Sequence, residues 1–163
     1  GAMRRRYKRD LFVNRVTRIK QTIADASIGV DVIVGFPGET EKDFLDTFNF
    51  LNELDISYLH VFTYSERPNT DAIEMSEIVS KEIRRERSKM LHILSDKKRR
   101  FFHDQFISKY RPVLFENIKN GKLLGHTDNY IQIQMEGGNE LINSIHSVKL
   151  VDNHGTVVDG KLS

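Results

Sequence analysis

The apolar and polar positions of the chain predict a strand, a helix and a second strand in its first half. Val30 to Val34 is an apolar, β-branched run interrupted only by Asp31, which is typical of a parallel strand covered on both faces. Residues 41–54 carry apolar side chains at helical spacing, and residues 58–64 form a second β-branched and aromatic run. Strand, helix and strand with short connections predict a βαβ unit with a right-handed crossover.

Two further amphipathic helices are predicted on either side of this unit, over residues 7–24 and from Ser80 to about Tyr110. A break in the second helix is expected at Ser95-Asp96, because both residues are poor helix formers in a helix interior. The apolar positions of the first helix are Leu11, Phe12, Val16, Ile19 and Ile23. Those of the second helix are Ile83, Met90, Leu91, Leu94, Phe101, Phe102 and Ile107.

Beyond the second helix, short strand-like runs alternate with turn signals. Asn120-Gly121 is the strongest hairpin signal among them. Four or five short strands in residues 111–163 predict a small antiparallel β-barrel of the OB type. We therefore expect an α/β domain over residues 4–110 and a β-barrel domain over 111–163. The leading Gly-Ala-Met is interpreted as the remnant of an expression tag, although Met3 is also a candidate native residue.

The composition narrows the class of protein. A chain of 163 residues has room for one ordinary domain or two small ones. No apolar run approaches membrane-spanning length and no signal peptide is visible, so we expect a soluble cytoplasmic protein without a membrane partner. The chain contains no cysteine, which excludes disulfides, thiolate zinc sites and any iron–sulfur cluster held by this chain alone. No metal ligand set is predicted.

The net charge of +2 hides a strong segregation along the chain. Residues 1–24 carry eight Lys and Arg against one acidic residue, and residues 25–80 carry two against twelve. Residues 81–111 carry eleven against four, and residues 112–163 carry four against six. Two basic helices thus flank an acidic α/β stretch. Binding of a polyanion on one side is one interpretation of this pattern, and solvated helix faces are the other.

Candidate ligand contacts follow each predicted strand. The turn from Gly35 to Gly38 bends the chain sharply, and its glycines allow the backbone to approach a ligand closely. Thr40 and Asp43 then have the spacing of a helix N-cap. Ser65 to Thr70 follows the second strand in the same way. Carboxyl ends of parallel strands meet at one sheet edge, so a cofactor site is one interpretation and plain turn chemistry is the other.

Two polar residues lie inside the predicted strands. His60 has apolar neighbours and no second His or acid at metal-ligand spacing, so we expect a satisfied core histidine rather than a ligand. Asp31 is a lone acid that needs a partner if it is buried.

Three strings of the chain, in this order, resemble one known family. MRRRY, DVIVGFPGET and YSERPNT are similar to the corresponding strings of the methylthiotransferase branch of the radical S-adenosylmethionine enzymes. The run from Gly125 to Tyr130 resembles the G-x-T-x-N-Y segment of that family's TRAM domain, a small β-barrel that binds transfer RNA. The resemblance implies a partial radical-SAM-type α/β barrel with parallel strands, followed by an OB-like TRAM barrel. Asn69 departs from the family pattern, which has glycine there, and we expect asparagine to adopt the same left-handed conformation.

The resemblance also implies a function for a full-length parent protein. The parent would add a methylthio group to C2 of N6-threonylcarbamoyladenosine next to the anticodon of tRNA, using S-adenosylmethionine and [4Fe–4S] clusters. The family's cluster cysteines lie on an early barrel loop, so the resemblance identifies this chain as a C-terminal fragment. We expect the fragment to be inactive, with no cofactor bound and no catalytic residue of its own. The sulfur donor is left open.

Several alternatives remain at this point. The isopentenyladenosine subgroup and the ribosomal-protein subgroup of the same family are the nearest ones. A non-catalytic RNA-binding module would explain the absent cysteines without a missing segment, but it would not explain the three strings. An incomplete barrel also leaves a strand edge exposed, so self-association through that edge is expected.

The resemblance and the charge pattern together give two sets of candidate site residues. The cofactor-binding candidates are Asp31, Gly35, Gly38, Glu39, Ser65 and Arg67. The RNA-binding candidates are Arg4, Arg5, Lys97, Arg99, Arg100, Lys122, His126 and Tyr130. An ordinary place in the barrel core is the favoured alternative for Tyr130. The acidic balance of residues 112–163 departs from the basic groove that RNA-binding barrels usually show.

Overall fold

The computed structural model of the chain describes residues 9–162, which form two compact units that divide between Ser95 and Asp96. The helices are α1 (Arg9–Thr22), α2 (Glu41–Glu53) and α3 (Lys81–Asp104). The strands are β1 (Gly29–Val34), β2 (Tyr58–Thr63), β3 (Tyr110–Lys119), β4 (Lys122–Thr127), β5 (Gln132–Met135), β6 (Ile145–Asn153) and β7 (Val158–Leu162). Helix α3 supplies residues to both units, and the expected domain boundary between residues 110 and 111 stays a prediction.

The N-terminal unit contains the predicted βαβ unit. Strands β1 and β2 pair in parallel, in a register that runs from Gly29 opposite Tyr58 to Val34 opposite Thr63, and α2 connects them. Apolar side chains of all three helices form one core with these strands, including Val16 of α1, Phe44 and Leu51 of α2, and Leu91 and Leu94 of α3.

Within residues 9–162 only one face of this sheet is covered, so the prediction of a strand buried on both faces is wrong. Val32 and Val34 are buried, whereas Asp31 and Ile33 are exposed. On β2, Phe62 is 53% exposed, and it lies opposite Ile33. Side chains alternate between the two faces of a strand, and the helices of the unit pack against the side chains of one face. The side chains of the other face are therefore exposed.

The expectation of a core position for His60 is wrong for the same reason. His60 is exposed and lies opposite the exposed Asp31 in the parallel register. Its ring packs edge-on against Tyr58, with 5.0 Å between the ring centroids. The apolar residues directly before and after His60 lie on the opposite face of the sheet, because side chains alternate along a strand.

The apolar positions predicted for the helices are only partly buried. In α1 only Val16 is buried, and Leu11, Ile19 and Ile23 are exposed. In α3, Ile83, Met90 and Phe101 are exposed. Fewer apolar positions of these two helices are buried than their periodicity predicts.

Helix α3 runs unbroken through Ser95-Asp96, where a break was expected. Ser95 is buried, and its hydroxyl donates to the Leu59 carbonyl (3.0 Å) and accepts from the Leu59 N–H (2.9 Å). These two bonds to β2 offset the poor helix propensity of serine, and they cover part of the strand's outer edge. A tertiary contact therefore overrides the local preference.

The C-terminal unit is a closed five-stranded barrel with the order β3-β4-β5-β7-β6. The prediction of a small barrel is confirmed, but the pair β5–β7 is parallel and the barrel is therefore mixed. Strand directions can alternate around a closed ring only when the number of strands is even. With five strands, one neighbouring pair has to be parallel.

The core of this barrel is formed by inward side chains of every strand, among them Val113, Phe115, Leu123, Ile133 and Val158. Phe102 and Phe106 from the end of α3 and the turn after it join the same core. The predicted hairpin between β3 and β4 is confirmed. Asn120 (φ 53°) and Gly121 (φ 77°) both adopt the left-handed conformation that a two-residue hairpin turn requires.

Candidate functional site

The loops that follow β1 and β2 lie side by side at one edge of the sheet, as the sequence predicts. Val34 and Thr63 are paired at the strand ends, and the Tyr64 N–H donates to the Val34 carbonyl (2.9 Å). We call these two loops, Gly35–Thr40 and Tyr64–Thr70, the strand-end rim. Asn69 has φ 63°, so the expectation that it adopts the left-handed conformation is confirmed.

The glycine turn of the rim is held by internal hydrogen bonds. Gly35 and Gly38 have φ of 80° and 84°, which favours glycine at both positions. The Gly35 N–H donates to Glu39 Oε2 (2.8 Å), and the Gly38 N–H donates to the Glu77 carbonyl (2.7 Å). Glu39 therefore stabilises the turn, and both glycine amides have acceptors within the chain. The roles of these three rim residues as cofactor contacts stay predictions.

Helix α2 begins directly after this turn with the predicted N-cap. The Thr40 hydroxyl accepts from the Asp43 N–H, and the Asp43 carboxylate accepts from the Thr40 N–H, each at 3.1 Å. Hydrogen bonds from the Thr40 side chain and backbone lower the pKa of Asp43. The sequence spacing alone is therefore sufficient to place this helix start.

A depression of about 440 Å³ lies at the end of β2 and on the exposed face of the sheet. Ser65 and Arg67 line it, so the structure brings these two candidates together. Its other lining residues are Ile33, Phe36, Phe62, Thr63, Tyr64, Thr70 and Ala72. Asp31 instead lines a separate depression of about 260 Å³, together with Arg9 and Phe50.

Tyr64 is the residue of the depression that has an unsatisfied polar atom. Its hydroxyl is buried and has no hydrogen-bond partner among residues 9–162. Its ring packs edge-on against Phe36, with 5.4 Å between centroids. Because a buried polar group without a partner costs free energy, a ligand that bonds to this hydroxyl would remove that cost.

Two buried arginines of α3, Arg84 and Arg87, hold the strand-end rim in place through hydrogen bonds and ion pairs. Arg87 donates to Glu39 Oε2 (2.7 Å), to the Glu39 carbonyl (3.0 Å) and to Glu41 (3.1 Å). Arg84 donates to the Tyr64 carbonyl (3.1 Å) and to Glu66 (2.7 Å). Each guanidinium thus contacts one of the two loops.

Sequence reasoning missed both arginines. A signal was present, since Leu91 and Leu94 are buried and a helical step back along the same face falls on Arg87 and then Arg84. Arg84 also explains why glycine is required at position 35, because a Cβ there would overlap the Arg84 side chain. Arg84 lowers the pKa of Glu66 through its hydrogen bond to that carboxylate.

The barrel unit presents a second candidate site at the turn after β4. Tyr130 is 74% exposed, so the favoured alternative of a core position for it is wrong. Its ring stacks on His126, with 4.8 Å between centroids and 22° between planes. His126 Nδ1 lies 2.8 Å from Glu116 Oε2. The structure therefore brings two of the predicted RNA-binding residues together.

The other basic candidates belong to α3, to the start of β4 and to the N-terminal residues. Lys97 and Arg100 are exposed on α3, and Arg99 forms an ion pair with Asp96 (3.5 Å). Lys122 is half-buried at the start of β4. Arg4 and Arg5 lie outside the described residues.

No metal centre is found in the part of the chain that the structure describes, because no group of three or more His, Cys, Asp or Glu has the arrangement to hold an ion. None of the helices within residues 9–162 is long and apolar enough to cross a membrane.

Comparison with known proteins identifies relatives along nearly the whole chain. The chain is 34% identical over 154 residues to the threonylcarbamoyladenosine tRNA methylthiotransferase MtaB of Bacillus subtilis, a match that covers 91% of this chain. It is 40% identical over 139 residues, or 85% of the chain, to the protein of the same name from Aquifex aeolicus. Over nearly its whole length the chain is therefore homologous to one part of these tRNA methylthiotransferases. No family model matches it.

Methylthiotransferases named for a different tRNA nucleoside match equally well. The chain is 33% identical over 166 residues, or 99% of its length, to the tRNA-2-methylthio-N(6)-dimethylallyladenosine synthase of Aliarcobacter butzleri. The chain spans about a third of the length of these methylthiotransferases, at 34%, 33% and 37% of the three proteins. The matches cover 85% or more of the chain, so they include both the strand-end rim and the turn after β4.

Proposed function

We propose that this chain is the later part of the catalytic barrel, together with the RNA-binding barrel, of a radical S-adenosylmethionine methylthiotransferase that modifies tRNA. The observation that carries the proposal is the strand-end rim. Two loops whose sequences resemble the family's nucleotide-holding loops lie at one sheet edge, next to a depression lined by Ser65 and Arg67. Ligands of α/β proteins bind at this edge of the sheet.

The residues of the depression fit the parts of S-adenosylmethionine. Ile33, Phe36 and Phe62 supply apolar and aromatic surface for an adenine ring. The Tyr64 hydroxyl is a buried polar atom in need of a partner, and the Arg67 guanidinium is suited to a carboxylate. When bound, S-adenosylmethionine supplies the radical and the methyl group. The residues of this chain bind and orient it, and Arg84 and Arg87 keep the rim in place.

The iron–sulfur clusters have no thiolate ligands in this chain, which contains no cysteine. In the proposed parent protein the thiolates come from other segments. We therefore expect this chain alone to bind tRNA weakly, to hold no cluster and to turn over no substrate.

For the substrate we propose N6-threonylcarbamoyladenosine next to the anticodon of tRNA. The similarity to proteins named for this nucleoside supports the assignment, at 40% and 34% identity. Proteins named for the dimethylallyl nucleoside, at 33% identity over 99% of the chain, make that nucleoside the second candidate. The barrel of residues 110–162 is proposed to act as the TRAM-type module that binds the tRNA.

The decisive experiment is nucleoside analysis of tRNA by mass spectrometry from cells that lack the gene. We expect the methylthio form of threonylcarbamoyladenosine to disappear and the unmodified form to accumulate. Loss of the dimethylallyl form instead assigns the second subgroup. An unchanged nucleoside profile contradicts the proposed function, and a normal profile restored by a gene carrying Arg67→Ala contradicts the proposed role of the depression.

A non-catalytic RNA-binding module is the second candidate function, and the absence of cysteine is the observation that favours it. The reading frame upstream of this segment separates the two. A C-x-x-x-C-x-x-C loop encoded in frame supports the enzyme, and a genuine start codon at Met3 supports the module.

A further inference from the structure

The turn from Thr127 to Ile131, which we call the aromatic turn, is built to present one ring to solvent. The Thr127 hydroxyl donates to Asn129 Oδ1 (2.6 Å) and accepts from the Ile131 N–H (2.9 Å). The Tyr130 N–H donates to the Thr127 carbonyl (2.9 Å). Thr127, Asn129 and Ile131 are buried, so the turn is packed and hydrogen-bonded on its inner side while Tyr130 is exposed.

Stability does not explain a tyrosine at this position. Tyr130 has φ 69°, a left-handed conformation that costs an L-residue with a Cβ, and glycine or asparagine would adopt it more easily. The residue is 74% exposed and so gains little from burial. A residue that is unfavourable for the fold and exposed to solvent points to a binding role.

The surface around Tyr130 favours a flat, uncharged ligand group. His126 lies beneath the tyrosine ring, and Leu114 and then Ile145 lie opposite it in successive strands, both exposed. The Glu116 carboxylate next to His126 disfavours a phosphate at this point. An aromatic pair with apolar neighbours is instead suited to a stacked nucleobase.

The same face of β4 carries positive charge farther along. Lys119 and Lys122 lie directly opposite each other in the β3–β4 register, an arrangement that is unfavourable for the fold alone. Lys122 and His126 are four residues apart on the outer side of β4, which is about 13 Å. A lysine pair and an aromatic stack at this separation match the backbone and a base of one nucleic-acid strand.

We propose that Tyr130 and His126 form a stacking platform for one unpaired RNA base, with Lys119 and Lys122 contacting phosphates of the same strand. This inference rests on the proposed function, in which the barrel binds tRNA. It adds that the barrel takes single-stranded bases by stacking, which explains how a domain with an acidic balance binds RNA at all.

The test uses the whole 163-residue chain and fluorescence anisotropy with two labelled probes, an RNA stem–loop with unpaired adenosines and a blunt RNA duplex of the same composition. We expect tighter binding of the stem–loop. Tyr130→Ala should weaken that binding by roughly 5- to 150-fold, whereas Tyr130→Phe should change it by less than about twofold. Tyr110→Ala is the matched control, because Tyr110 is an exposed tyrosine of the same barrel outside the stack.

Two further measurements separate stacking from charge and from unfolding. Replacing an unpaired adenosine by 2-aminopurine should give a fluorescence change on binding that Tyr130→Ala abolishes. Lys122→Ala should reduce the slope of log K against log salt by about one, and Tyr130→Ala should leave that slope unchanged. Amide hydrogen exchange of the barrel strands in each variant shows whether the fold is kept.

Equal affinity of the folded Tyr130→Ala chain for the stem–loop overturns the platform, as does equal affinity of the native chain for stem–loop and duplex. Capture of a protein through Tyr130 with no RNA binding also overturns it, since the patch is then a protein-docking surface. The proposed function is tested separately by the nucleoside profile. A lost methylthio nucleoside together with an unaffected Tyr130→Ala variant removes the platform and leaves the function standing.

Discussion

The strand-end rim and the aromatic turn both follow a strand, but they are held in opposite ways. The rim is held by buried charge, because Arg84 and Arg87 bond to its carboxylates and carbonyls. The aromatic turn is held on its inner side by neutral hydrogen bonds of Thr127 and Asn129. A loop held by buried ions depends on each partner far more than a loop held by neutral groups.

The largest effect is expected from breaking the rim. Arg87→Ala removes the partner of the largely buried Glu39 and should destabilise the N-terminal unit by about 3–5 kcal/mol. Amide hydrogen exchange in β1 and β2 measures this free energy. Arg85→Ala, an exposed neighbour on the same helix, is the matched control and should change it by less than about 0.5 kcal/mol. Similar small effects of both variants would show that the buried pair does not hold the rim.

A smaller effect is expected from the neutral network of the aromatic turn. Thr127→Val keeps the shape of the side chain but leaves the Ile131 N–H without its acceptor, which should cost about 1–3 kcal/mol of barrel stability. Exchange of the barrel amides measures the loss. The β1 and β2 amides of the same sample are the internal control. A loss larger than that of Arg87→Ala would contradict the comparison between the two loops.

The two units should also differ in their response to acid. His103 is buried, and burial followed by the Arg99 charge lowers its pKa, so the folded barrel unit favours the neutral ring. Protonation therefore favours unfolding. The stability that this ring contributes is present above its unfolded pKa of about 6.5 and is lost as the pH falls below it.

Urea unfolding of the barrel unit at a series of pH values measures this loss. His103→Gln should remove the decline between neutral and mildly acidic pH, and His92→Gln, an exposed histidine of α3, should not. An unchanged decline in His103→Gln would show that another group titrates.

The smallest effect is expected at Tyr130 itself. Tyr130→Asn places a residue that tolerates φ 69° at the turn, so barrel stability should stay the same or rise by up to about 1 kcal/mol. The same variant should lose RNA binding as Tyr130→Ala does. Thermal unfolding followed by circular dichroism measures the stability. A clear destabilisation would mean that the tyrosine is there for the fold and not for a ligand.

Much of the fold follows from local sequence. Glycine and asparagine at Gly35, Asn69 and Asn120-Gly121 allow left-handed backbone, and the structure has positive φ at each of them. The Thr40 and Asp43 spacing is enough to start α2, and the β-branched and aromatic runs are enough to identify β1 and β2. These features depend only on short stretches of chain, so they can be read without knowing what packs against them.

Burial could not be predicted in the same way, because it depends on which elements meet. Periodicity identified an amphipathic α3 but not that Arg84 and Arg87 occupy its inner face, where partners from two distant loops neutralise them. The unbroken helix at Ser95 and the exposed positions of His60 and Tyr130 have the same origin. The sequence by itself determined the elements, their turns and the similarity to methylthiotransferases. The tertiary structure alone decided which polar groups are buried with partners and which aromatic ring faces solvent, because free energies of burial are set by neighbours distant in the chain.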